Sequence, residues 1–187
     1  MNTPVKLALT AAALTATAAL AQAAPKVDGV IGAGEYSSTF KEPEKGMSVS
    51  WRVVGDTIYF GVSARTDGWI GIGLDPSGEK KTGADMYMFV MEDGKLNAMD
   101  MVQVKKTGAP KLDTEEGGKD NIAAKAGKIT GDTFTVEFSR KLNTGDKQDA
   151  VLTAGKGAKL LMAVGPGEKT NKAHAKSMRW EKEIVIK

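Results

Sequence analysis

The chain has 187 residues, 41% of them hydrophobic and 26% charged, with a formal net charge of +3, one histidine and no cysteine. The missing cysteines exclude a disulfide framework, thiolate zinc and iron–sulfur centres, and the C-x-x-C-H attachment of c-type haem. So small a net charge gives no reason to expect nucleic acid or an anionic membrane surface as a partner.

The first segment carries Lys6, then an Ala/Leu/Thr run over 7–20, then Ala21-Gln22-Ala23. A basic start, a short apolar stretch and a small-x-small ending predict a secretory signal peptide cleaved after Ala23. The run falls short of the roughly 20 strongly apolar residues that a membrane span needs. Without Lys6 the 26 basic residues become 25 against 23 acidic ones, a net charge of +2. Residues 24–187 are long enough for one well-cored domain and too short for two. A periplasmic or secreted protein with no membrane span after cleavage is expected.

Alternating runs separated by turn residues predict strands at 48–53, 57–64, 69–74, 85–91, 96–102, 121–128, 133–140, 159–164 and 180–186. Many short strands at this spacing indicate an all-β sandwich. No segment after the leader keeps a helical period. The longest irregular connection runs over 105–120, a length at which loops are often functional or mobile.

Two strands carry faces suited to a ligand. In 69–74, alternation puts Ile70, Ile72 and Leu74 on one face and Trp69, Gly71 and Gly73 on the other. The second face is a strip of bare backbone beside an indole. Glycine within a strand marks close approach by a ligand or by other parts of the chain, and both readings stand here. Farther on, Asp93-Gly94 between two alternating runs signals a two-residue hairpin turn. That register sets Glu92 against Lys95, Met88 against Met99 and Met86 against Met101, so four methionines share one face. Such a patch is flexible core filling, the pliable wall of a pocket, or a soft thioether site for Cu(I).

Enzyme motifs are missing. One histidine excludes a three-His zinc site and H-E-x-x-H, and neither G-x-S-x-G nor G-x-x-x-x-G-K-[ST] occurs. Gly165-Pro166-Gly167-Glu168 reads as a turn. Asp146 and Asp149 suit a turn and at most part of a cation site. Asp85 and Asp100 bracket the methionine hairpin without a cleft to make them a glycosidase pair. Turnover by this chain alone is not expected.

The run over 48–86 contains SVSWRV, a Gly-Asp turn, a second alternating strand, Gly68-Trp69-Ile70-Gly71-Ile72-Gly73-Leu74 and a Gly/Lys loop ending in Gly83-Ala84-Asp85-Met86. This order resembles the DOMON domain, found in the dopamine β-monooxygenase N-terminal region and in the cytochrome domain of cellobiose dehydrogenase. Val27-Asp28-Gly29-Val30-Ile31 with Gly34-Glu35-Tyr36 resembles the opening of bacterial members, and the 138–146 segment (FSRKLNTGD) resembles their late strand and turn. The resemblance implies an immunoglobulin-like antiparallel β-sandwich and, in haem-binding members, a b-type haem with two axial ligands. It puts His174 at one axial position, with neighbouring cations available to haem propionates. The other position, a methionine in those members, holds Lys81. The haem subunit of ethylbenzene dehydrogenase uses a lysine and a methionine, and Met86 is the alternative to Lys81 here. A lysine ligates only as the neutral amine, which burial beside a metal favours.

Three functions follow as expectations. One is an exported haem b electron-transfer module with a redox partner protein, Trp69, Gly71 and Gly73 lining its pocket. The second is a haem-free module binding a sugar or other small-molecule ligand, with Trp69 as stacking platform. The third is Cu(I) binding by the methionines.

Overall fold

The computed structural model describes residues 23–167 and 173–187. The expected leader lies outside them except for its last residue, as do Lys169 and Lys172, two of the cations neighbouring His174 in the sequence.

The turn chemistry fixes the hairpins. Asp93 (φ 49°) and Gly94 (φ 73°) both take positive φ, the pattern of a type I′ turn, whose twist matches that of the strands it joins. The ladder above it pairs Glu92 with Lys95, Met88 with Met99 and Met86 with Met101, as the turn signal predicts.

The strands are β1 (Ser38–Lys41), β2 (Ser48–Val54), β3 (Thr57–Arg65), β4 (Trp69–Leu74), β5 (Asp85–Glu92), β6 (Lys95–Val102), β7 (Lys111–Leu112), β8 (Ala124–Thr130), β9 (Thr133–Lys141), β10 (Gly157–Gly165) and β11 (Arg179–Val185). They form two antiparallel sheets, β1-β2-β3-β9-β8 and β11-β10-β4-β5-β6-β7. Among the described residues the only helical pieces are 3-10 turns at Asp113–Glu115 and Lys176–Met178. The architecture is the expected all-β sandwich.

Some boundaries differ from the sequence reading. β1 has no clear alternation, yet it pairs with β2 over four residues, helped by a 2.9 Å hydroxyl contact between Thr39 and Ser50. The 105–120 connection is not one loop, because β7 pairs with the end of β6 and a 3-10 turn follows. β8 begins three residues later than expected, since the Asn121 amide donates to Asp100 across the sandwich at 2.7 Å instead of joining a ladder.

Between the sheets, Phe60 and Phe138 stack at 5.1 Å, and Tyr87 and Phe89 of the opposite sheet meet Phe138 at 4.9 and 5.0 Å. Ile58, Val62, Ile70, Ile72, Leu74 and Leu160 complete a buried centre. The Trp51 indole N–H donates to the Val185 carbonyl at 2.8 Å, and the Val53 amide to that of Lys187 at 2.7 Å. These two bonds close one edge by joining β2 to the end of the chain.

The 28–36 segment is held on the outer face of the five-stranded sheet by one buried carboxylate. Glu137 Oε2 accepts from the amides of Asp28 (3.0 Å), Gly29 (2.8 Å) and Val30 (3.1 Å), and Oε1 accepts from the Tyr36 hydroxyl at 2.7 Å. Ile31 and Tyr36 fill the space above Gly61, where a Cβ would meet them at 2.9 Å. Glu137→Ala strands three amides, and we expect it to cost about 2–4 kcal/mol in urea unfolding. It should also open the segment to limited proteolysis. Glu137→Gln, which keeps an acceptor, should cost less; equal losses in the two variants would contradict the clamp.

Candidate functional site

The register sorts the six-stranded sheet into two faces. Residues directly opposite on paired strands share a face. One outer row is therefore Gly165 and Trp69, with Val90 and Asn97 next to them when the β4–β5 register is continued by one residue; the next is Arg179, Ala163, Gly71, Met88 and Met99; a third is Glu181, Leu161, Gly73, Met86, Met101 and Leu112. Trp69, Met88 and Val90 are buried there with Met99, Met101 and Ala163 against them, an apolar layer separate from the main core.

This layer explains the glycines. A Cβ on Gly165 would stand 2.0 Å from Trp69 Cε2, so the indole lies directly on that backbone. A Cβ on Gly73 would stand 2.4 Å from the Met86 sulfur, and one on Gly71 would lie 3.2 Å from Trp69 Cζ3. Of the two readings of the strip, close approach by the protein's own side chains is what the structure displays. Met86 lies within β5, one residue after its start. Trp69 is 5% exposed, whereas a sugar-stacking platform presents an open ring face.

His174 arrives from the segment before the 3-10 turn Lys176–Met178. Its half-buried ring meets the Trp69 indole edge-on, centroids 6.2 Å apart and planes at 68°. Its Nδ1 lies 3.0 Å from the Ala175 carbonyl. A carbonyl oxygen only accepts, so this bond puts the proton of a neutral ring on Nδ1 and leaves the lone pair on Nε2. That is the tautomer a metal-ligating imidazole needs.

Lys81 stands in the β4–β5 loop, and its Nζ donates to the Gly108 carbonyl at 2.8 Å. Burial, and then the positive charge of Arg179, push its ammonium below the usual lysine range. Arg179 shares the outer row of Gly71 and lies five residues beyond His174. His174 is thus brought to Trp69, Met86 to Gly73, and Lys81 to Gly108 in the field of Arg179. An imidazole with its lone pair on Nε2 and a thioether are donor types that can hold haem iron, and a lysine can join them only as the neutral amine.

A second constellation lies on the inner face. Asp85, Asp100 and Asp149 are buried, each with a carboxylate oxygen within 4.8 Å of those of the others. Arg140, fully buried, donates from Nη1 to Asp85 Oδ2 and, at 3.2 Å, to the Tyr87 hydroxyl. Its Nη2 donates to the Ala150 carbonyl at 2.8 Å, and the Ala150 amide donates to Asp85 at 3.1 Å. Burial pushes Asp85 up to about 7 against the opposing pull of Arg140. It pushes Asp100 up to about 8, although the Asn121 amide favours that charge. Asp113 is also raised to about 8, by burial first and by Asp149 second.

Sequence reasoning named Asp85, Asp100 and Asp149 but did not join them, and it missed Arg140 and Asp113. A signal was available. Asp85 alternates in phase with Tyr87 and Phe89, and Arg140 with Phe134, Val136 and Phe138. Charges in phase with a core face require partners inside.

Residues 43–165 match the family model of the DOMON domain. Similar solved structures include the cytochrome b domain of pyranose dehydrogenase from Coprinopsis cinerea, at TM-score 0.56 and 12% identity over 80% of this chain and 81% of that one. The cytochrome domain of Myriococcum thermophilum cellobiose dehydrogenase is similar at TM-score 0.52 and 9% identity, over 80% and 82%. A family 9 carbohydrate binding module from Caldicellulosiruptor kristjanssonii, in complex with glucose, gives TM-score 0.48 and 10% identity over 88% and 92%. No curated protein sequence matches the chain. At these identities the structural likeness is one of fold. The family follows from the sequence match, which covers most of the chain: this protein belongs to the DOMON domain family.

Proposed function

We propose that this protein is an exported b-type haem module that passes single electrons between a redox partner protein and an acceptor, without turnover of its own. The observation that carries the reading is His174, set edge-on against Trp69 with Nδ1 committed to a carbonyl, beside the glycine and methionine face of β4 and β5. The DOMON match and the likeness to two cytochrome domains agree with it.

In this reading His174, through Nε2, and Lys81, through its neutral amine, would hold the haem iron, with the Met86 thioether as the alternative to Lys81. Trp69 fixes the imidazole plane, and Gly71 and Gly73 let Trp69 and the Met86 thioether lie close against the strand, so that these side chains would form the wall. Met88, Met99 and Met101 keep water from that wall. Arg179 would meet a carboxylate of the bound group. Bound haem b would supply the one-electron Fe(III)/Fe(II) couple.

Among the described residues no helix is long and apolar enough to cross a membrane. Export rests on the leader.

The test is the absorption spectrum of protein purified from the periplasm or medium. We expect a red protein with a sharp Soret band and split α and β bands on reduction, and loss of both in His174→Ala with the fold intact by circular dichroism. A colourless protein that also leaves added haemin unbound would overturn the reading.

A further inference from the structure

The inner-face aspartates raise a question that electron transfer does not answer. Asp85 and Asp100 stand on neighbouring strands, diagonal to each other on the core face. Asp113 follows β7, and the β6–β7 register continued by one residue sets it opposite Asp100. Asp149 comes from the segment that Arg140 and Asp85 pin through Ala150. Two strands and two loops deliver four carboxylates to one end of the sandwich interior.

Four carboxylates against the one guanidinium of Arg140 leave a formal excess of three negative charges where water is excluded. Asp113 is 1% exposed and Asp149 8%. Neither carboxylate oxygen of Asp113 or of Asp149 has a hydrogen-bond donor, nor does Oδ1 of Asp85 or of Asp100. Six carboxylate oxygens are therefore buried there without a donor. Asp113 lies outside the close triad; it is buried, and its carboxyl is within side-chain hydrogen-bond reach of Asp149, two carboxyl groups with no other donor between them. Carboxylates in this state must share protons or surround a cation.

The geometry favours the cation. Calcium takes six to eight oxygens at about 2.3–2.6 Å, so oxygens around one ion lie at most about 5 Å apart. The triad's oxygens lie within 4.8 Å. The set is all oxygen, irregular and drawn from loops as well as strands. Magnesium demands near-ideal octahedral geometry and keeps its waters, which a dry cage does not offer.

We propose that Asp85, Asp100, Asp113 and Asp149 form a structural calcium site that locks the 113–115 turn and the 143–150 loop onto the end of the sandwich. The site does not depend on the haem reading. It lies on the opposite face of the six-stranded sheet, and Arg140 supplies its fixed counter-charge.

The experiment uses the purified protein, assayed for metal by mass spectrometry before and after EGTA treatment and titrated with calcium chloride alone. We expect about one calcium per chain, removed by EGTA, and a rise of about 5–10 °C in the melting temperature when excess calcium returns. Asp113→Asn and Asp149→Asn, both in loops, should weaken calcium binding at least tenfold. Their metal-free melting temperature should equal or exceed that of the stripped parent, because each replaces a buried carboxyl without a donor by a neutral amide; a fold defect would lower it. A stripped parent that binds no calcium in calorimetry and melts unchanged would overturn the proposal in favour of proton sharing. An undiminished calcium response in both variants would place the ion elsewhere and overturn it too.

Discussion

Arg140→Met is expected to lower unfolding stability by about 3–5 kcal/mol, because it leaves the Asp85 carboxylate buried without its counter-ion. Methionine matches the aliphatic stem and adds no polar group, so the loss reports the charge and its bonds. Besides Asp85, the guanidinium serves the Tyr87 hydroxyl and the carbonyls of Lys141 and Ala150. Urea unfolding in EGTA with an unchanged m-value is the measurement. Adding Asp85→Asn to Arg140→Met should recover part of the loss, since the stranded charge is then gone. A single-variant cost below about 1 kcal/mol would show that the pair is not the anchor of this end.

The same pair sets a pH dependence. Burial raises Asp85 in the folded chain to about 7, while in the unfolded chain it titrates near the ordinary 3.8. Between those values the folded state holds a proton that the unfolded state has released, so metal-free stability falls as pH rises through about 4 to 7. Asp100 and Asp113, raised to about 8, extend the fall upward. Without Arg140 the opposing pull on Asp85 disappears, so the penalty of Arg140→Met should be larger at pH 8 than at pH 5.

Lys81→Met, in haem-loaded protein, is expected to keep a six-coordinate low-spin spectrum and to raise the reduction potential by an amount on the order of 100 mV. An amine donates strongly and favours ferric iron, whereas a thioether favours ferrous iron. The sequence replaces an expected methionine by this lysine, and the fold gives it a partly buried place, a carbonyl partner and the field of Arg179. Burial and the field of Arg179 weaken its hold on the proton, as ligation requires, while the Gly108 carbonyl favours the ammonium. Redox titration followed at the α band is the check. An unchanged potential would remove Lys81 as a ligand and turn attention to Met86, whose own replacement by leucine would then change the spectrum.

The fold was legible because its signals are local. The Asp93-Gly94 turn dictated the β5–β6 register, and with it the facing methionines, since a two-residue loop leaves one way to pair the strands. Period-2 alternation placed Ile70, Ile72 and Leu74 inward. The short pairings β1–β2 and β6–β7 were not legible. Their stability comes from a neighbouring strand and not from any pattern of their own.

The candidate site divides in the same manner. The one histidine, the glycine strip and the lysine in a methionine's place stand in the sequence. That Trp69 lies on Gly165, nearly a hundred residues away, and meets His174 is a consequence of β4 pairing with β10. The aspartates mark the limit most clearly. Sequence by itself determined a sandwich of short strands, its main register and a set of donor residues, because periodicity and turn chemistry act between near neighbours. Only the tertiary structure decided that Asp85, Asp100, Asp113, Asp149 and Arg140 share one buried volume. Charge burial depends on what two sheets and two loops enclose together, and no single strand contains that information.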